Sequence, residues 1–521
     1  MRRKLIAFLI AILILITGCT KLEDFSGEST GSEPSQVSHE QVPYKEYQIE
    51  ESDLSIQLEA ENALLQGGVT VESERDGYSG EGYVKWNDNL ITSLCSLTVT
   101  IPTSGHYKLT VSLASDSEIF SYLLIGGETI GELHIHGDGS FEQISLDSIY
   151  LSKGEQTISI SQQKGEAYLD YVTISGSQRI NDENYEVESE LINQNAKNYA
   201  QSLMDFLTDN YGKANISAQQ VTGGTNMELD FIKELTGKYP AIRSGDLAEY
   251  SLSRTGKGNG EIELAAKWWQ SGGIVAFSWY WYAPMNTPEL LSEKTSFNLS
   301  NAVTELEVAT LTIEEIEQLE LEGKVSAELV AIIRDIDHIS EQLALLQSEK
   351  TPVLWRPLPE AGGGWYWWGN AGSTAYKWLW KLLVDRQTNY HELNNLIWVW
   401  NGEYADFYPG DNYVDIISAD IFVSSPSALS QQQRFIASSQ IAKPPKLIAL
   451  SECSSLPDPD LMYRENAMWS WVSAWGGASL LTPDGKINPE YNTEESVVRF
   501  YNHIGVITKD ELPYLARYTK D

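Results

Sequence analysis

The sequence predicts a multidomain chain in which an N-terminal, jelly-roll-like β-sandwich precedes a (β/α)8 TIM barrel. From residue 49 to 176, short runs alternate apolar and polar residues with period two. From 191 to 521, helical patterns separate apolar runs that read as strands buried on both faces. A length of 521 residues exceeds one small core, and 42% hydrophobic content supports packed domains.

The chain opens with Arg2, Arg3 and Lys4, then an apolar run from Leu5 to Ile16. That run falls short of the roughly 20 residues that span a bilayer, so residues 1–19 read as a secretory signal. Ile16-Thr17-Gly18-Cys19 resembles the bacterial lipobox. The resemblance implies that Cys19 carries the lipid and that the exported chain is tethered to the cell membrane. Residues 20–48, rich in Ser, Glu, Gly and Gln, read as a flexible spacer. With Cys19 so used, Cys95 and Cys453 remain, in different domains, and both read as buried thiols. A net charge of −37 repels phosphate backbones and argues against a nucleic-acid partner. A monomer is expected.

The sandwich runs are "SIQLEAENA", "SLTVTIP", "HYKLTVSLA", "SYLLIGG", "EQTISISQ" and "YLDYVTIS", parted by Gly, Asp, Asn and Ser turns. A polar hinge spans 177–190, and "LINQNAKNYAQSLMDFLTDNY" then reads as a helix. Eight strand-like runs follow: "ANISAQQV", "YPAIRSGD", "GIVAFSWYW", "TPVLWRPLPE", "NLIWVWN", "VDIISADIF", "PKLIALSE" and "WVSAWGG". Eight strands alternating with helices fit a closed barrel. An open doubly wound sheet would announce a Gly-rich phosphate loop near its first strand, and none is present.

In a barrel the functional groups belong at the C-terminal strand ends. Glu360 closes the fourth run and Glu452 the seventh. Two facing carboxyls suit glycoside hydrolysis: one protonates the leaving oxygen, and the other attacks the anomeric carbon or activates water. Six of the sixteen tryptophans fall between Trp355 and Trp380. Indoles stack on the apolar C–H faces of sugars, so Trp365, Trp367 and Trp368, which follow a run of glycines, are expected to contact substrate. Asp246, Glu403 and Asp420 also stand at strand ends; Glu403 reads as a solvated loop residue. No His or Cys cluster in the barrel has metal-ligand spacing, and no catalytic cofactor is expected.

Residues 191–518 resemble glycoside hydrolase family 26, mostly β-mannanases. The family's strand-four motif reads approximately R-P-x-H-E-x-x-G-x-W-F-W-W-G. This chain has Arg356-Pro357-Leu358-Pro359-Glu360 and then Trp365-Tyr366-Trp367-Trp368-Gly369. The resemblance implies Glu360 as acid/base and Glu452 as nucleophile. Trp279 and Tyr280 from "SWYWYAP", together with Asp420 and Trp475, are the further substrate-binding candidates, with Asp420 equally suited to holding its loop. Three positions depart from the pattern: Pro359 and Tyr280 stand for histidines, and Phe422 for a tyrosine near the nucleophile. The expectation is a retaining endo-β-1,4-mannanase at the bacterial cell surface. A β-glucanase or xylanase of the same family, and a non-catalytic surface glycan-binding lipoprotein, remain open.

"LEAENALLQGGVTVESERDGYSGEGYV" and "AYLDYVTI" resemble the opening and closing segments of family 35 carbohydrate-binding modules and their family 6 relatives. The resemblance implies a structural calcium on Glu59, Glu61 and Asp170. Hard oxygen donors from the first and last strands suit that ion. Trp86 is the expected sugar platform of the module.

Overall fold

A computed structural model describes residues 41–87, 92–162 and 165–519. The expected signal, Cys19 and most of the expected spacer lie outside the described residues.

The sandwich comprises β1 (Ser55–Glu59), β2 (Leu64–Gln66), β3 (Val69–Glu72), β4 (Tyr83–Trp86), β5 (Leu94–Ile101), β6 (Gly105–Ala114), β7 (Ile119–Ile125), β8 (Glu128–Ile135), β9 (Glu142–Leu151), β10 (Gly154–Gln162) and β11 (Tyr168–Gly176). One sheet runs β3-β4-β11-β6-β9, with β1 also paired to β11; the other runs β2-β5-β10-β7-β8. Alternation does the sorting: Cys95, Leu97, Val99 and Ile101 of β5 point into the core between the sheets, and the residues between them point out.

The barrel strands are β12 (Asn215–Gln220), β13 (Ile242–Asp246), β14 (Ile274–Trp279), β15 (Val353–Pro357), β16 (Leu396–Trp400), β17 (Ile416–Ile421), β18 (Leu447–Cys453) and β19 (Trp471–Ala474). They pair in parallel in chain order, and β12 also pairs with β13, so the sheet closes on itself. All eight expected runs supply a strand. Every residue of β14, β15, β16 and β18 is buried, as a sheet enclosed by helices requires. β20 (Val506–Ile507) pairs with β12 outside the ring. Among the described residues no helix is long and apolar enough to cross a membrane.

The two connecting segments differ from expectation. Residues 41–48 are docked rather than free. Val42 bridges to His503, the Lys45 N–H donates to Asp460 Oδ1 at 2.7 Å, and Tyr44 packs on Tyr463 and His503. The polar composition of the spacer concealed three residues, Val42, Tyr44 and Tyr47, that have something to bury. The hinge is also docked: Arg179 donates to Tyr463 O at 2.6 Å, and Tyr185 packs against Tyr211. The domains touch directly as well, through Gln432 to Ser148 O at 2.8 Å and Gln433 to Asp147 O at 2.7 Å. Cys95 and Cys453 are buried free thiols.

Candidate active site

Glu360 lies three residues past the end of β15, where the chain turns sharply. Leu358 and Glu360 both adopt left-handed backbone at φ 54°, a conformation that costs an L-residue about 1–2 kcal/mol. The turn is held from outside: the Glu360 N–H donates to Asn401 O at 2.8 Å, and Trp368 Nε1 donates to Pro359 O at 2.9 Å. Gly369 makes the second contact possible. A Cβ there would lie 2.0 Å from Ala361 O, so only glycine lets the tryptophan segment tuck beneath the acid's loop.

Glu452 sits inside β18. A register shift between β17 and β18 sets Asp420 directly beside it. Such irregularities re-aim side chains at active sites. Glu360, Asp420 and Glu452 each bring a carboxylate oxygen within 4.8 Å of the others. Arg356, on β15, reaches both of the latter: Nη1 donates to Asp420 Oδ2 at 3.0 Å, and Nη2 donates to Glu452 Oε1. The Tyr280 hydroxyl lies 3.0 Å from each oxygen of Glu452. Ser451 donates to Asp420 Oδ1 at 2.7 Å and receives Asn401 Nδ2 at 3.2 Å. Trp365 Nε1 donates to Glu360 Oε2 at 3.1 Å.

These neighbours divide the two acids. Burial raises Glu360 far above the ordinary carboxylate range; Asp420, Glu403 and Glu452 raise it further, and Arg356 opposes them. Burial also raises Glu452, with Asp420 adding to the rise, but Arg356 and the Tyr280 hydroxyl pull it back by binding its ionised form. Glu452 touches a guanidinium and a phenol, whereas Glu360 has only an indole N–H. The shared proton therefore rests on Glu360, and the negative charge on Glu452. The three carboxyls have metal-binding spacing, but Arg356 already supplies the positive charge between two of them. The donor set fits proton transfer and nucleophilic attack.

The other expected residues sort by burial. Trp279, Trp367 and Trp368 are at most 2% exposed. Trp279 stacks on Trp281 at 4.2 Å, and Trp367 Nε1 donates to Trp281 O at 2.6 Å. These three form the floor beneath the site and offer no face to a sugar, contrary to expectation. Trp365 and Trp475 are half-buried, and Trp475 stands edge-on between Tyr280 and Phe422, 6.0 Å from each. Asp246 is pushed up to about 7 by burial and accepts the Tyr280 N–H at 3.0 Å, so it fixes the strand end that carries Tyr280. Glu403 is not a solvated loop residue. It faces Arg434 at 3.5 Å, and burial pushes it up to about 7. Arg356 was missed as a functional residue, although an arginine inside an apolar strand, four residues before the acid, is the signal that marks it.

In the sandwich, Trp86 is 1% exposed, and its indole donates to Ser93 O at 3.1 Å. It faces the core with Val84, which excludes it as a sugar platform. Glu59 and Glu61 converge on the turn at Gly80. A Cβ there would stand 2.3 Å from Glu61 Oε1 and 3.2 Å from Glu59 Oε2. Glu61 Oε2 is buried with no hydrogen-bond partner. Asp170 accepts from Ser79 N–H at 2.8 Å, Ser79 Oγ at 3.1 Å and Ser112 Oγ at 3.2 Å. Glu59 also accepts from Ser79 Oγ and Gln57 Nε2, each at 2.8 Å, and Glu61 Oε1 accepts the Glu81 N–H at 2.8 Å, so Glu61 Oε2 is the oxygen of this cluster left open to a hard cation.

A parallel barrel with an acid pair at its fourth and seventh strand ends, joined to a β-sandwich, defines a modular glycoside hydrolase. The chain belongs to glycosyl hydrolase family 26, whose profile matches residues 192–511, and residues 56–176 match the family 35 carbohydrate-binding module. A mannan endo-1,4-β-mannosidase of Thermothelomyces thermophilus is 32% identical over 466 residues, 89% of this chain and 92% of that protein. Mannan endo-1,4-β-mannosidase B of a Piromyces species is 33% identical over 473 residues, 88% of this chain and 77% of that protein. Among solved structures, a Podospora anserina family 26 β-(1,4)-mannanase with a family 35 module aligns with TM-score 0.59 and 30% identity, covering 89% of this chain and 100% of that one. A ruminal family 26 endo-β-1,4-mannanase aligns with TM-score 0.62 and 26% identity, covering 90% of this chain and 100% of that one.

Proposed function

We propose that this glycoside hydrolase is a retaining endo-β-1,4-mannanase. The observation that carries the reading is the approach of Glu360 and Glu452 to within 4.8 Å, oxygen to oxygen, with Arg356 and Tyr280 hydrogen-bonded to Glu452 and not to Glu360. Retention needs carboxyls about 5–5.5 Å apart, whereas inversion needs room for a water and a gap of about 6.5–9.5 Å. In the first step Glu360 protonates the glycosidic oxygen while Glu452 attacks the anomeric carbon and forms a glycosyl ester. Arg356 and Tyr280 then hold the carboxylate that departs when Glu360 removes a proton from the attacking water. Mannan as substrate is supported by the names of the relatives that span most of this chain.

Product analysis on mannohexaose, with NMR of the first anomer released, tests the reading. Internal cleavage with initial β-anomer is expected; initial α-anomer overturns retention. Preference for β-glucan or xylan in a polysaccharide panel overturns the substrate assignment.

The same reading gives the sandwich a calcium on Glu59 and Glu61, supported by the convergence at Gly80, with Asp170 holding the Ser79 turn from behind. It also places the chain at the cell membrane through a lipid on Cys19. Release of the Cys19→Ala protein into the medium is the expected result, and unchanged membrane retention overturns it.

A further inference from the structure

The loop after β16 packs on the acid/base turn and reaches toward the sandwich. Tyr404, in the loop after β16, is 44% exposed and packs on Gly362, two residues beyond Glu360; a Cβ at Gly362 would lie 2.4 Å from the Tyr404 ring. Glu403 beside it pairs with Arg434, and Gln433, next in the chain, holds the sandwich through Asp147 O. Gly131 of β8 comes so close that a Cβ there would stand 3.4 Å from Gln433 Cγ. On the outer face of this sheet, Tyr122 of β7 stands directly across from Glu132 of β8. The Tyr122 phenol is raised by burial, by Glu132 and by Tyr404, and Glu132 also acts on Glu403. Two residues along β7, on the same face, Phe120 is 37% exposed and stacks on His134 at 4.6 Å. Tyr404, in the loop packed on the acid/base turn, thus acts across the domain junction on Tyr122, and Phe120 follows on the same face of β7 with side chains about 7 Å apart.

We propose that Tyr404 of the barrel and Tyr122 and Phe120 of the sandwich, with Glu132 and Arg434 between them, form a sugar-binding track that continues the active-site cleft onto the sandwich. Its ligand is the outlying part of the β-linked polysaccharide chain whose reacting units lie at Glu360 and Glu452. This rests on the mannanase reading above. Rings give apolar platforms for the C–H faces of successive sugars, and the carboxylate and guanidinium take hydroxyls. The docked hinge and N-terminal segment hold the sandwich where such a track is useful, because a fixed second site acts without the loss of effective concentration that a flexible tether brings.

The test is the ratio of kcat/KM on mannohexaose to kcat/KM on mannotriose in the full chain. Phe120→Ala and Tyr404→Ala are expected to lower the ratio about three- to ten-fold. Tyr122→Phe, which keeps the ring, should lower it less than Tyr122→Ala. Leu64→Ala, on β2 of the same sheet and outside the track, should leave it unchanged. An unchanged ratio in Phe120→Ala and Tyr404→Ala, with the parent active on mannohexaose, overturns the track and leaves the mannanase reading standing. Absence of mannohexaose cleavage by the parent overturns both.

Discussion

In the sandwich, Glu59, Glu61 and Asp170 are held by serine hydroxyls and two backbone N–H groups; in the barrel, Glu360, Asp420 and Glu452 converge, and a guanidinium holds the last two. Both trios come from strand ends brought together by topology, and both concentrate negative charge. Neutral donors leave the sandwich charge uncompensated, which suits a hard cation arriving from solvent. Arg356 compensates two of the three barrel acids and leaves Glu360 without an ion pair, so that acid keeps its proton. Unequal pairing makes a catalytic pair out of chemically identical groups.

The largest effects should come from breaking the barrel trio. Glu452→Ala removes the proposed nucleophile and is expected to lower kcat on mannohexaose roughly 10⁴-fold or more. Residual activity near the parent level would reassign the nucleophile. Glu360→Gln should lower kcat about 10²–10⁴-fold. Its stability should move in the opposite direction. A carboxyl whose folded pKa is raised contributes stability below its unfolded value of about 4.3 and loses it as pH climbs through the folded value. Glutamine suffers no such loss. The melting temperature of Glu360→Gln should therefore gain on the parent as pH rises, and a constant difference across pH would mean that Glu360 is not the protonated member.

Tyr280→Phe sharpens the comparison further, because it removes a hydrogen bond to Glu452 and spares the ring that packs between Tyr366 and Trp475. A neutral donor lost from a buried carboxylate should lower kcat/KM roughly 10–100-fold. An unchanged melting temperature alongside that loss separates tuning of the nucleophile from packing.

How much of this was legible beforehand depends on what each residue's neighbours in sequence reveal. The eight barrel strands were readable because a strand buried on both faces must be apolar throughout, and Glu360 and Glu452 stood out as acids closing such runs. Trp367 and Trp368 misled because a glycine-rich loop does not disclose which side faces the cleft. The close approach of Gly369 to Ala361, a tertiary fact, turns both indoles inward. Trp86 misled similarly, since the side it faces depends on the register of β4. Glu403 read as solvated because Arg434, which faces it, is distant in sequence and the adjoining sandwich lies in another domain. The hydroxyl of Tyr280 on Glu452 spans the barrel mouth, and no local pattern announces it.

The sandwich trio offers a smaller effect. Calcium at about 100 times its dissociation constant would add about 2.7 kcal/mol, on the order of 10 °C in a domain of this size. Calorimetry with calcium and with EDTA should show that shift in the sandwich transition, and Glu61→Gln should abolish it. Equal melting in both conditions would leave the buried Glu61 Oε2 without its proposed partner.

The smallest expected change is a displacement of the pH profile in Asp420→Asn. The proposed mechanism requires Glu452 ionised, which sets the acid limb, and Glu360 protonated, which sets the alkaline limb. Asp420 raises both groups by its charge, and it also shares Arg356 with Glu452. Asparagine removes the negative charge and leaves the guanidinium to Glu452 alone, so both consequences lower the acid's pKa. The acid limb should move to lower pH and the alkaline limb should follow, each by about one unit or less, since the limbs belong to the coupled pair. A profile that moves to higher pH, or does not move, would mean that Asp420 is itself protonated in the active enzyme and that Arg356 neutralises Glu452 alone.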